Sequence, residues 1–183
     1  MSIQRRNSEL VDLLRPDFVG NDGTASPTFT DEYLTGSHRQ SVSVGVRVER
    51  DADFVHNNTG GWLAIPFTHQ RWDDPDDDQW AIGTPTRLTC RIAGTYVISG
   101  HIFWDGNAVG QRGISIYLNG TTLLAVQDEQ GLTADGFAQS IATVYKLSVG
   151  DFLEFLAFQG SGGNLNVIMM NNWSPEFAMV RAA

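Results

Sequence analysis

The chain has 183 residues, a formal net charge of −9 and a single cysteine. This length favours one domain with an appendage over two domains, and a domain of roughly 140 residues buries enough surface to fold without a disulfide or a metal. The negative charge argues against nucleic acid and anionic lipid as partners, because both select basic patches. We therefore expect no nucleic acid and no membrane among the partners.

The N-terminal sequence lacks the pattern of a secretion signal, since Arg5 and Arg6 are not followed by a long apolar stretch. No run approaches the roughly 18 apolar residues that a transmembrane helix needs. Cys90 stands in the alternating segment RLTCRI, which favours a small core residue over a reactive thiol. Together these features predict a protein that folds in a reducing cytoplasm.

Residues 1–40 differ from the rest of the chain. Ser8–Leu14 has the cap and the leucine spacing of a short helix, which Pro16 ends. The following sequence is rich in Gly, Ser, Thr, Asp and Pro, which is typical of a loop. A disordered tail is one interpretation, but such tails are poor in large apolar residues. We favour an extended arm that contacts a partner or a neighbouring subunit through Leu10, Leu13, Leu14, Phe18, Phe29 and Tyr33.

Residues 41–183 have the pattern of short β-strands. In the first of them, Val42, Val44, Val46 and Val48 alternate onto one face. About ten such segments follow one another, separated by Gly, Asn, Asp and Pro, and no long helical period interrupts them. Spacing of this kind predicts an all-β fold, an antiparallel sandwich, that occupies residues 41–183.

Two turns are prominent between the predicted strands. Asn119-Gly120 predicts a type I′ hairpin turn, because both central residues of that turn need a positive φ. The glycine-rich segment Gly160–Gly163 also lies between two apolar segments. We expect a second hairpin connection there.

Side-chain alternation assigns two faces to the strand TYVISGHIFW. The face expected in the core carries Tyr96, Ile98, Ile102 and Trp104. The opposite face carries Val97, His101 and Phe103, and a half-apolar outer face indicates contact with another subunit. These three residues are our candidates for a subunit interface, with a covering loop or helix as the alternative.

We find no sequence motif for catalysis or for cofactor binding. The acidic run Asp73–Asp78 has ligands suited to Ca²⁺, but it does not match an EF-hand, so we favour a solvated loop. The four histidines, His38, His56, His69 and His101, lack zinc-site spacing. Phosphate-binding glycine loops and a nucleophile elbow are also missing from the sequence. We expect no enzyme activity, no metal and no cofactor, although a hydrolase built on such a β-sandwich is a weaker alternative.

Several segments, taken in order, resemble a known family. AGTYVISGHIFW is similar to the Gly-x-Tyr strand of tumour-necrosis-factor-like and complement globular-head jelly rolls, and ISIYLNGTTL resembles the hairpin that follows it. LSVGDFLEFLAF and FAMVRA resemble the last two long strands. The resemblance covers roughly Val42–Ala183. It implies a jelly roll that forms a homotrimer through the mixed outer face of one sheet, with a binding or structural role.

A closer resemblance is to virion proteins of tailed bacteriophages that carry this jelly roll. An Asn-Asn-Thr turn at Asn57, an Arg-Trp-Asp at Arg71 and a Pro-Thr-x-Leu-Thr strand at Pro85 occur in the same order. This implies a capsid decoration protein, of the cement or head-fibre type, whose arm contacts the major capsid protein or another virion protein. Its expected location is the capsid surface of the virion, after synthesis in the host cytoplasm.

The alternative function is a phage tail or fibre-tip domain that recognises a glycan or protein on the host surface. Aromatic side chains in loops would serve such recognition, and the candidates are Trp72, Trp80 and Trp173.

Overall fold

In a computed structural model of the chain, the described residues are 44–57, 61–74, 78–131 and 135–182. They form twelve antiparallel strands in two sheets, and they include no helix. This confirms the predicted all-β jelly-roll sandwich. The residues predicted to form the arm and its short helix lie outside the described residues, so the division into 1–40 and 41–183 stays a prediction. Within the described residues, no helix has the length and apolar character to cross a membrane.

The strands occur throughout the described part of the chain. Their bounds are β1 (Gly45–Glu49), β2 (Phe54–His56), β3 (Leu63–Ala64), β4 (His69–Asp74), β5 (Arg87–Thr89), β6 (Gly94–Trp104), β7 (Gln111–Leu118), β8 (Thr122–Gln130), β9 (Phe137–Leu147), β10 (Phe152–Gln159), β11 (Leu165–Val167) and β12 (Glu176–Arg181).

The two sheets are built around β6 and β10. In sheet A the order across the sheet is β9, β6, β12, β1 and β4. The short strand β11 pairs with the end of β6, beyond β12, and carries β2 as its other neighbour. In sheet B both β3 and β5 pair with one edge of β10, and β7 and β8 follow on its other side.

The core lies between the sheets and contains the residues that alternation assigned to it. Tyr96, Ile98, Ile102 and Trp104 are fully buried. The valines of β1 also point inward, and Val46 and Val48 are inaccessible to solvent. Cys90 is buried as predicted, and burial raises the pKa of its thiol.

A glycine of β6 meets an aromatic ring of β10 between the two sheets. A Cβ atom at Gly100 would lie 2.9–3.0 Å from three ring atoms of Phe155. That ring stacks on Phe177 of β12 at a centroid distance of 5.4 Å, and Phe177 stacks on Phe67 at 6.1 Å. Three stacked rings therefore link sheet B to sheet A through the space that Gly100 leaves open.

The Asn119-Gly120 turn has the predicted conformation. The φ angles are 52° at Asn119 and 70° at Gly120, and the amide of Thr121 donates to the carbonyl of Leu118 at 3.2 Å. The turn joins β7 to β8, whose right-handed twist this turn type matches.

The prediction of a hairpin at Gly160–Gly163 is wrong. β10 before it belongs to sheet B and β11 after it belongs to sheet A, so the segment crosses between the sheets. The buried side chain of Gln159 holds the crossing, because its Nε2 donates to the carbonyl of Gly163 at 2.7 Å and its Oε1 accepts from the amide of Ser161 at 2.8 Å. Turn composition indicated a change of direction but not which sheet came next.

Two strands were not predicted. β2 is three residues long, and β4 (HQRWDD) lacks apolar alternation. Each is an edge strand of sheet A, where one face and one edge meet solvent.

Candidate functional site

The three predicted interface residues lie together on the outer face of sheet A. Val97 is 47% exposed, and His101 and Phe103 are half-buried, whereas their neighbours in β6 point into the core. The structure thus places them on the outer face of the strand, as side-chain alternation predicted. Whether a second subunit covers them stays a prediction.

A flat apolar patch surrounds Val97. Val144 of β9 lies directly opposite Val97 in register and is 61% exposed, and Val180 of β12 lies on its other side. One row further along the strands, the side chains are small: Ala142, Ser99 and Ala178. The outer face therefore presents valine methyl groups beside a shallow floor, with no large side chain standing above them in these rows.

A cluster of charged side chains borders the patch on β12, β1 and β4. The side chain of Glu176 is only 3% exposed, and its Oε2 accepts from Nε of Arg47 at 3.1 Å. Its Oε1 lies 3.0 Å from Nε of Arg71, which also forms an ion pair with Glu49. Two guanidinium groups and two carboxylates balance each other, so the buried carboxylate is compensated as a buried charge requires.

His101 connects the apolar patch to this cluster. Its Nε2 lies 3.2 Å from Oε2 of Glu176, and its ring packs beside Trp173 at a centroid distance of 6.2 Å. Trp173 in turn makes an edge contact with Phe103 at 5.7 Å. The pKa of His101 is lowered, chiefly by burial and also by Arg47, while Glu176 opposes that shift.

A cavity of about 290 Å³ opens onto the same face. Its walls include Trp72, Arg47 and His101, and its floor includes Ser99 and Ala178. The indole of Trp72 lies against Gly45, where a Cβ atom would be 3.1 Å from two ring atoms. Because the charges lining this cavity neutralise one another, its chemistry suits an uncharged side chain better than an ion.

The three candidate tryptophans of the receptor alternative are not equivalent. Trp72 and Trp173 both lie on the outer face of sheet A and are half-buried there by packing. Trp80 is 9% exposed, and its Nε1 donates to the carbonyl of Pro85 at 3.2 Å.

The acidic run begins with a structural carboxylate. Oδ2 of Asp73 accepts from the amide of Gln79 at 2.8 Å, and Oδ1 accepts from Nε2 of the same residue at 2.8 Å. Both oxygens therefore hold Gln79 against the end of β4. Among the described residues, no group of three or more His, Cys, Asp or Glu side chains is placed to hold a metal ion. Asp76 and Asp77, in the middle of the Asp73–Asp78 run, lie outside that part of the chain.

A second exposed apolar area lies on β8, at the edge of sheet B. Leu123 is 48% exposed and Val126 is 47% exposed. The predicted arm residues Leu10, Leu13, Leu14, Phe18, Phe29 and Tyr33 lie outside the described residues.

No protein-family model matches the sequence, and no curated protein matches it. The structure, however, is similar to solved jelly rolls of two related groups. A TNF-family protein, Eiger from S. frugiperda, aligns with a TM-score of 0.58 at 9% identity, over 78% of this chain and 94% of that one. Murine APRIL aligns with a TM-score of 0.57 at 8% identity, over 76% and 99%.

The second group is that of the complement globular heads. The globular domain of zebrafish complement 1qA aligns with a TM-score of 0.50 at 14% identity, over 75% of this chain and 93% of that one. These likenesses establish a tumour-necrosis-factor-like and complement-head-like jelly roll. At such low identities they carry the fold and nothing further.

Proposed function

We propose that this protein is a homotrimeric structural protein of a tailed-phage virion, with no enzyme activity, that decorates the capsid and attaches through residues 1–40. The observation that carries the proposal is the exposed pair of facing valines, Val97 and Val144, on the outer face of a sheet in this jelly roll. Adjoining exposed apolar side chains on a sheet face support a contact with another protein.

The threefold symmetry of a trimer requires two different surfaces on each subunit. A closed trimer is held by a heterologous interface, in which one patch of each subunit meets a different patch of the next. Two of the exposed apolar areas among the described residues are suited to such an interface. One surrounds Val97 and Val144 on sheet A, and the other includes Leu123 and Val126 on β8.

The capsid role rests on the sequence of residues 1–40 and on the resemblance to phage virion proteins. An arm that becomes ordered on binding loses conformational entropy but covers a large surface. Three arms on one trimer act together, so that avidity raises affinity by about 10²–10⁴-fold over a single arm. Decoration would then need only weak contacts from each arm to a capsid protein.

Removing residues 1–40 tests this attachment. We expect the shortened protein to remain folded and trimeric, because the core and both apolar areas lie after residue 43. It should lose binding to undecorated capsids by at least about a hundredfold, the lower end of the avidity gain. Circular dichroism, mass in solution and co-sedimentation with capsids measure these three properties.

A matched control keeps the length of the arm while changing its chemistry. Replacing Leu10, Leu13, Leu14 and Phe18 by serine in the full chain should abolish capsid binding to the same degree. If the shortened protein still saturates capsids, attachment through the arm is wrong. If the full chain is a monomer in solution, the trimer is wrong.

The receptor-binding alternative has less support. Trp80 is buried, and Trp72 and Trp173 lie on the surface that the proposed trimer would cover. A glycan array probed with the trimeric protein distinguishes the two functions. Reproducible binding to one class of glycan would favour the receptor alternative over decoration.

A further inference from the structure

His101 is the titratable group at the centre of the outer face of sheet A. It lies between the valine patch and the charged cluster, in contact with Trp173 and 3.2 Å from the carboxylate of Glu176. Its side chain is 31% exposed in the single subunit. A second subunit that covered Val97 and Val144 and extended two rows along β6 to His101 would remove the remaining water from this imidazole.

We propose that protonation of His101 weakens the contact between subunits, so that the trimer loosens in mild acid. This inference rests on the proposed trimer. It concerns the regulation of that interface and does not depend on what the trimer attaches to.

The charges around His101 determine the direction of the effect. Strand β12 contributes Glu176, β1 contributes Arg47 and Glu49, and β4 contributes Arg71. Strand β9 places the uncharged Ser140 opposite His101; Lys146, the charged residue on that face of β9, pairs with Thr95 at the far end of β6.

Neutral His101 leaves two positive and two negative charges in balance. Protonated His101 adds one positive charge that lacks its own carboxylate, since both oxygens of Glu176 already face guanidinium groups. Burying that additional charge in an interface is costly because it cannot be fully compensated there.

The direction of the pH effect follows from the pKa of His101 in the free subunit and in the trimer. Burial already holds the pKa of His101 below its ordinary value in the single subunit. Covering the face lowers the pKa further, because less water remains to solvate the imidazolium. Subunits that separate therefore take up protons, so association is unaffected well above pH 6.5 and weakens as the pH falls through the pKa of the free subunit.

The overall charge of the chain predicts the opposite trend. The net charge is −9 at neutral pH, and acid reduces the mutual repulsion of the subunits as carboxylates gain protons. Acid-induced dissociation would therefore identify a specific group rather than a general charge effect.

Sedimentation equilibrium of the full chain, from about pH 7.5 to about pH 5.5, tests the inference across the histidine range. With one imidazole per subunit, the trimer dissociation constant should rise by up to about a thousandfold per pH unit, a slope of as many as three protons. In His101→Gln, which keeps a neutral polar side chain, this rise in acid should disappear. His69→Gln is the matched control, since His69 lies on β4 beside Asp51 with a 58% exposed side chain, and it should retain the slope of the wild type.

The outcomes separate the two proposals. A wild-type monomer at about pH 7.5 would overturn both the trimer and this inference. A trimer whose dissociation constant does not change with pH, or a His101→Gln protein with the wild-type slope, would overturn the inference alone. If His101→Gln does not fold, an NMR titration of the wild type decides, because the His101 ring must have a lower pKa in the trimer than in the dissociated subunit.

Discussion

Gly100 illustrates how a single residue without a side chain makes room for an aromatic ring between the two sheets. It lies in register with Phe177 on β12, and the ring of Phe155 from the other sheet occupies the space above it. Any side chain here would push against an aromatic ring that is itself stacked on a second ring. The cost of a substitution therefore depends on how far three packed rings can move.

We expect Gly100→Ala to lower the free energy of unfolding by about 1–3 kcal/mol, the usual cost of overpacking a core. Urea unfolding followed by tryptophan fluorescence measures this change. Gly83→Ala is the control, because Gly83 is exposed and a Cβ atom added there would have no other atom within 4 Å. Equal stability of the two variants would show that the rings accommodate a methyl group.

Side-chain alternation predicts the position of Val97, His101 and Phe103 because both faces of a strand can be read from one sequence. It does not predict the charged cluster. Glu176 and Arg47 are far apart in the chain, and their ion pair depends on β12 lying beside β1. The available signal was that Glu176 shares its face with Ala178 and Val180, which puts a carboxylate on an otherwise apolar strand face.

At the level of elements, the Asn119-Gly120 turn ties the β7–β8 hairpin to the beginning of β10. Nδ2 of Asn119 donates to Oδ1 of Asp151 at 2.9 Å, and Oδ1 of Asn119 accepts from the amide of Phe152 at 2.9 Å. The amide of Asn119 and the carbonyl of Phe152 form a further bond at 2.9 Å. The β7–β8 turn and the beginning of β10 are thus held as one unit.

Replacing Asn119 by alanine should destabilise the protein by about 1–2 kcal/mol, through the positive φ and the lost side-chain bonds. Asn119→Gly removes the same bonds but tolerates the φ, so it should cost less. Thermal unfolding at neutral pH separates the two contributions. An alanine variant as stable as the wild type would contradict this account of the turn.

The same contact gives an expectation for acid. The hydrogen bond from Asn119 is the main cause of a lowered pKa at Asp151, followed by the amide of Ser148. The stability that this carboxylate provides is present above its ordinary pKa and is lost as the pH falls through the lowered value. In Asn119→Gly, protonation of Asp151 should therefore cause a smaller loss of the free energy of unfolding in acid than it does in the wild type.

Local sequence predicts elements well where turn chemistry and alternation agree, as in β6, β7 and β8. It fails where pairing over a distance determines the element. β4 is a strand because β1 offers it a partner, although HQRWDD has no apolar alternation. The Gly160–Gly163 crossing likewise depends on Gln159, whose side chain binds loop atoms on both sides of the turn.

At the scale of the whole molecule, the exposed valines on sheet A have no partner within the described subunit. Val97 and Val144 face each other across β6 and β9, and both would be covered in the proposed trimer. Val55 on β2 has similar exposure, 54%, but lies outside this patch. Comparing substitutions at Val97 and Val55 therefore distinguishes an effect on subunit assembly from a general effect of reducing surface hydrophobicity.

We expect Val97→Glu to convert the trimer to monomers and Val55→Glu to leave it intact. A carboxylate placed in a desolvated interface lacks a partner, which costs far more than the same group in water. Size-exclusion chromatography with light scattering measures the mass of both variants, and thermal unfolding checks that each is folded. Trimeric Val97→Glu protein would place the subunit contact elsewhere.

The central position of β12 has a consequence for synthesis. β12 is translated after the other eleven strands, yet it lies between β1 and β6 in the middle of sheet A. Until β12 emerges from the ribosome, β1 and β4 can pair only with each other. The edge of β6 that β12 occupies in the folded protein then lacks most of its hydrogen-bond partners. Sheet B can assemble earlier on the ribosome, whereas closure of the sandwich must wait until β12 has emerged.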